Sequence, residues 1–161
     1  QNITIKKWTG GDWASLGSLS IDNSQYSDAT FPSLALDDAG YPVVAWTERD
    51  FANSDVSKIY VQRFDGTSWV SVGNGGAGLC ARPCVDDFGA FKPSLASDSS
   101  GNLVVAWNQR YETASDIQVR RFNGTSWVKV GTGKLGASGS AFSPSVDFNG
   151  LEGFRQLSPP N

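Results

Sequence analysis

Two blocks of residues recur along this chain, and their recurrence constrains the fold more than any other feature. Arg63-Phe64-Asp65-Gly66-Thr67-Ser68-Trp69-Val70-Ser71-Val72-Gly73 returns as Arg121-Phe122-Asn123-Gly124-Thr125-Ser126-Trp127-Val128-Lys129-Val130-Gly131, 58 residues later. A looser copy, Lys7-Trp8-Thr9-Gly10-Gly11-Asp12-Trp13-Ala14-Ser15-Leu16-Gly17, stands near the start. The second block, Pro32-Ser33-Leu34-Ala35-Leu36-Asp37-Asp38-Ala39-Gly40-Tyr41-Pro42-Val43-Val44-Ala45-Trp46, matches Pro93 through Trp107, 61 residues on. It begins a third time at Pro144-Ser145-Val146-Asp147-Phe148-Asn149-Gly150. A short unit repeated at this period cannot bury its apolar face alone, so the units must stack on one another.

Each unit reads as four short strands. Ser33 to Asp37 is the first, and Asp-x-x-Gly at 37–40 and 98–101 makes a tight turn. Pro42 to Thr47 is the second, with a Val-Val-Ala-Trp run that predicts burial on both faces. Lys58 to Phe64 is the third, followed by the hairpin dipeptides Asp65-Gly66 and Asn123-Gly124, and Trp69 to Val72 is the fourth. No segment shows a helical period. The expected fold is all-β, built of propeller blades of four antiparallel strands. Residues 32–73 and 93–131 make two complete blades, 3–17 the outer strands of a partial terminal blade, and 144–161 an inner strand and tail. Propellers close with about four to eight blades, so one such chain is not expected to close, and its open strand edges predict a homo-oligomer or polymer formed through them.

These motifs carry a resemblance. Pro-Ser-Leu-Ala-x-Asp-x-x-Gly-x-x-Val-Val-Ala-Trp and Arg-Phe-(Asp/Asn)-Gly-Thr-Ser-Trp-Val-x-Val-Gly resemble the repeats of secreted bacterial β-propellers, and more loosely the blades of sialidase-like and lectin-like propellers. The resemblance implies a secreted or cell-surface protein that binds its ligand through loops.

Composition narrows the chemistry. With no His, Ser-His-Asp and Cys-His catalysis and imidazole metal sites are absent. A net charge of -3 and a pI near 4.8 argue against a nucleic-acid partner, and no apolar run is long enough to span a membrane as a helix. The absence of Met leads to the expectation that the chain is a processed or partial product. Cys80 and Cys84, in Leu79-Cys80-Ala81-Arg82-Pro83-Cys84, are expected to form a small-loop disulfide in an exported protein.

In a four-stranded meander the short turns share one face and the long connections (18–31, 48–57, 74–92, 108–115, 132–143) share the other, where function is expected. All six Trp fall at repeat positions, which reads as packing between blades. The candidate ligand-binding residues are therefore those of the loops: Glu48, Arg49, Asp50 and Phe51 after Trp46, and Gln109, Arg110, Tyr111 and Glu112 after Trp107, with Tyr26. Arg49 and Arg110 share a register, as do Glu48 and Gln109. Such repetition is a habit of multivalent binders. Paired carboxylates for glycoside hydrolysis are not evident among only three Glu (Glu48, Glu112 and Glu152). No cofactor is expected; calcium stays open as an alternative on Asp22, Asn23 and Asp28 or on Asp86-Asp87. The expected function is a non-catalytic propeller, not an enzyme, that binds carbohydrate or another extracellular ligand through its long-loop face. The alternatives are a structural protein assembling through blade edges into a fibre or surface layer, and a fragment of a sialidase-like hydrolase.

Overall fold

The computed structural model describes residues 2–20, 28–50, 56–73, 89–98, 100–111, 113–131 and 143–147. Every regular element among them is a β-strand. A two-stranded hairpin, β1 (Ile3–Trp8) and β2 (Trp13–Leu19), precedes two four-stranded antiparallel sheets. The first runs β3 (Thr30–Leu36), β4 (Pro42–Asp50), β5 (Val56–Phe64) and β6 (Trp69–Ser71) in simple meander order. The second repeats it with β7 (Ala90–Ser97), β8 (Leu103–Arg110), β9 (Ser115–Phe122) and β10 (Trp127–Lys129). Fold class is thus as the repeats foretell: unclosed, all-β, in blades of four antiparallel strands. No strand forms over 143–147, the described part of the third Pro-Ser copy.

Turn chemistry explains the strand order. Asp37 Oδ1 accepts from the amides of Ala39 and Tyr41, and Asp98 Oδ1 from those of Ser100 and Asn102. Asp65 and Asn123 cap the outer hairpins in the same way, accepting from Thr67 and Ser68, and from Thr125 and Ser126. These side chains replace backbone partners within tight turns.

The units stack in one sense. Trp46 and Val44 of β4 pack with Ile3, Ile5 and Leu19 of the hairpin, while Val43, Ala45, Ile59 and Val61 on the opposite face meet Leu95, Val105 and Trp107 of the second sheet. Because side chains alternate along a strand, the repeated Val-Val-Ala-Trp run feeds both interfaces at once. Its residues are 0–1% exposed in both sheets; at about 1.5–3 kcal/mol per buried large apolar side chain, this stacking dominates stability.

Two repeated hydrogen bonds fix the stacking register. The indole N–H of Trp69 donates to the Leu16 carbonyl at 2.8 Å, and that of Trp127 to the Val72 carbonyl at 3.0 Å. Each Trp therefore reaches one unit back. At the inner strands the reach is forward: the Ser33 hydroxyl accepts from the Leu95 amide at 2.9 Å, and the Ser94 hydroxyl from the Val146 amide at 3.0 Å. The Trp and Ser of the two repeated blocks are thus bolts between units.

Candidate functional site

The short turns lie at one end of the sheets. At the other lie the starts of β3, β5, β7 and β9 and the ends of β4 and β8, paired as Thr30 with Thr47, Asp50 with Val56, Ala90 with Gln109 and Arg110 with Ser115. The described candidate residues of the sequence reading, Glu48, Arg49, Asp50, Gln109, Arg110 and Tyr111, fall at this second end.

Local backbone geometry aims further side chains there. Register breaks between Thr30 and Ser33 and between Phe91 and Ser94 mark matching bulges at the starts of the two inner strands. Within them Phe31 and Lys92 adopt left-handed φ values of 51° and 52°, and Ser143, before the third Pro, adopts 48°. A residue before proline is ordinarily pushed to extended backbone, and each such non-glycine position costs about 1–3 kcal/mol. Bulges of this kind re-aim a side chain, and all three side chains line a single cleft. The Lys92 amide is anchored by the Thr47 hydroxyl at 3.1 Å, so one unit holds the left-handed residue of the next.

The cleft encloses about 510 Å³ and is lined by Phe31, Phe91, Lys92, Asn108, Arg110, Tyr111, Thr113, Ala114, Ser115 and Ser143. The Lys92 ammonium sits 5.6 Å from the centre of the Phe31 ring and donates to the Ser143 hydroxyl at 3.4 Å. Gln118 Nε2 donates to the Tyr111 hydroxyl at 3.4 Å and to Asp116 Oδ2 at 3.3 Å, tying the cleft wall to a buried carboxylate. Asp116 Oδ1 is buried with no hydrogen-bond partner among the described residues. The described lining thus offers two cations, four hydroxyls, one side-chain amide and three aromatic rings, without a carboxylate of its own. Among the described residues no group of three His, Cys, Asp or Glu side chains could hold a metal ion.

The residues singled out in the sequence divide. Arg110 and Tyr111 line the cleft. Glu48 and Gln109 do not: both are buried, at 0% and 2% exposure, beneath the Trp two residues before them. Trp46 Nε1 donates to Glu48 Oε2 at 2.6 Å, and Ser20 Oγ to Glu48 Oε1 at 2.5 Å. Trp107 Nε1 donates to Gln109 Oε1 at 3.1 Å, and Gln109 Nε2 to the Gly89 carbonyl at 3.2 Å. Their shared register is one of satisfied indoles. β4 runs on to Asp50, three residues past the expected strand end at Thr47, and β8 to Arg110, two past the matching Asn108, so Glu48, Arg49 and Asp50 belong to the sheet rather than to a loop. Arg49 is half-buried and outside the cleft lining. Phe51, Glu112, Tyr26, Cys80 and Cys84 fall outside the described residues, as do the calcium candidates Asp22, Asn23, Asp86 and Asp87; Asp28 is exposed.

Sequence reasoning missed Phe31, Lys92, Ser143 and Asp116. A signal for the first three was present: within an otherwise repeated frame, the residue before Pro-Ser changes freely, from Phe to Lys to Ser.

No protein-family model matches the sequence, and no curated protein matches it. Among solved structures, one from Parabacteroides distasonis, provisionally described as a glycoside hydrolase, is similar with a TM-score of 0.43 and 18% identity over 64% of this chain and 32% of that one. Another represents the GH130 family of mannoside phosphorylases, said to contain glycoside hydrolases that target β-1,2 mannosidic linkages in Candida mannan. It has a TM-score of 0.45 and 20% identity over 65% of this chain and 32% of that one. The chain spans about a third of the length of each.

The expectation that this chain is not an enzyme is corrected here, since both similar structures are described as glycoside-acting proteins. Glycoside hydrolysis runs on carboxylates rather than imidazole, and the chain carries 13 Asp beside its three Glu. Asp116 is buried in a strand beside the cleft-lining Ser115, and forms no turn.

Proposed function

We propose that this chain is part of a carbohydrate-active propeller and that the cleft at its long-connection end holds the sugar. The reading rests on one observation: three strained positions, repeated unit by unit, send Phe31, Lys92 and Ser143 into the same cleft as Arg110 and Tyr111. Backbone strain persists where the surroundings over-determine it, and it clusters at ligand sites. A pyranose presents apolar C–H faces and a ring of hydroxyls, which aromatic rings and fixed donors and acceptors match in kind. In a glycoside-acting protein these groups bind and orient the sugar while carboxylates carry the proton transfers.

The test is isothermal titration of the full chain with a panel of neutral and acidic oligosaccharides, followed by Arg110→Gln and Tyr111→Phe. Binding of at least one glycan, weakened several-fold by either substitution, supports the proposal. Absence of heat across the panel, or binding untouched by both substitutions, overturns it.

A further inference from the structure

Within the cleft, the three copies of one repeat position differ from one another while the two residues after them and the backbone conformation do not. Pro-Ser follows each. The Ser33 and Ser94 hydroxyls make the same bond to the next unit, and all three residues take left-handed φ between 48° and 52°. A position whose backbone is held constant and whose side chain is free to vary is a presentation site. Stability gains nothing from a bulky side chain there, because left-handed backbone penalises any Cβ.

We propose that the residue before each Pro-Ser is the ligand-reading position of its unit, and that Phe31, Lys92 and Ser143 together select a sugar bearing an anionic group. This deepens the cleft assignment above and rests on it. The three side chains form one contiguous row: Lys92 lies over the Phe31 ring on one side and bonds the Ser143 hydroxyl on the other. The row therefore offers an apolar face, a cation and a hydroxyl in sequence, and Arg110 adds a second cation to the same wall. The described lining holds Lys92 and Arg110 and no carboxylate, so an anionic group on the ligand would meet two cations without displacing a protein partner. A carboxylate or a sulfate ester on a pyranose fits that chemistry, with the ring carbons against Phe31.

The experiment measures binding of the full chain to three trisaccharides matched in length: a galacturonate, a sulfated galactoside and a neutral galactoside. It is repeated with Lys92→Gln and with Lys129→Gln, which alters an exposed lysine on β10. The expected result is a preference of about tenfold for one anionic sugar over the neutral one, as for a single charge-assisted contact. That preference is lost in Lys92→Gln, kept in Lys129→Gln, and shrinks with added salt. Whichever anionic sugar is preferred identifies the source of the charge. Equal binding of all three sugars, or a preference that survives Lys92→Gln, overturns this inference and leaves the cleft a neutral-sugar site. Absence of binding to any of them overturns this inference, and the proposed function falls with it only if the wider oligosaccharide panel is silent as well. A thermal melt of Lys92→Gln unchanged within a degree or two shows that the loss is one of recognition rather than folding.

Discussion

Replacing Trp127 by Phe isolates one bolt between units. The residue is 7% exposed, its indole N–H donates to the Val72 carbonyl at 3.0 Å, and its ring lies 5.4 Å from that of Phe122. Phe keeps a six-membered ring but deletes the donor. Leaving a buried carbonyl unpartnered costs about 1–3 kcal/mol. Losing roughly 40 Å² of apolar contact costs about 1 kcal/mol more at ~25 cal/mol per Å². The expected destabilisation is about 2–4 kcal/mol. Trp69 makes the same bond to Leu16 at 2.8 Å but is only half-buried, so water replaces the lost donor and Trp69→Phe costs about 1 kcal/mol. Urea unfolding followed by far-ultraviolet circular dichroism separates the two through their midpoints at constant slope. Equal losses from the two substitutions, or a Trp127→Phe loss below about 0.5 kcal/mol, would refute the assignment of this Trp as the buried bolt.

Three further expectations follow from particular contacts. Gly73→Ala places a Cβ 2.8 Å from Phe122 Cε2 and 3.1 Å from the Thr125 carbonyl at a φ of 66°, whereas at Gly131, φ 75°, no atom of the described residues lies within 4 Å of an added Cβ. Gly73→Ala therefore destabilises by about 2–4 kcal/mol and Gly131→Ala by about 1, and similar melting temperatures for the two would contradict the stacking geometry. Asp116→Asn removes the charge from a buried carboxylate whose Oδ1 has no partner among the described residues and raises stability by about 1 kcal/mol; a clear loss in a thermal melt counts against a functional reason for that carboxylate. Partial burial raises the Asp98 carboxyl, but Asn102, the Asn102 and Ser100 amides and the field of Arg121 outweigh it and hold it below the usual range. A depressed carboxyl contributes stability above its unfolded value that is lost as pH falls through the folded one. Asp98→Asn should flatten the loss of stability below about pH 4; an unchanged acid profile would remove that contribution.

Much of this structure is written in the repeats, and the reasons are local. Asp37, Asp65, Asp98 and Asn123 announce turns because their side chains satisfy turn amides in any context. The Val-Val-Ala-Trp run announces a strand covered on both faces, and Trp46 and Trp107 do occupy the interfaces. The site was less legible. Glu48 and Gln109 look like loop ligands when the second strand is ended at Thr47, yet alternation puts residue i+2 on the same face as its Trp. Extending each strand to its observed end turns each into an internal hydrogen-bond partner. Phe31 and Lys92 escaped notice because a residue before proline ordinarily reads as extended backbone, and only the inter-unit bond from the Lys92 amide to Thr47 discloses how the bent conformation is held. Asp116 was lost among the many Asp residues that do make turns.

The central claim is that ligand is held at the end where the left-handed positions converge. An amide chemical-shift titration of the isotope-labelled full chain with the tightest-binding oligosaccharide tests it directly. The account predicts the largest shifts at Phe31, Lys92, Arg110, Tyr111 and Ser143. Shifts concentrated instead at the turns Asp37–Gly40, Asp65–Ser68 and Asn123–Ser126 would contradict it.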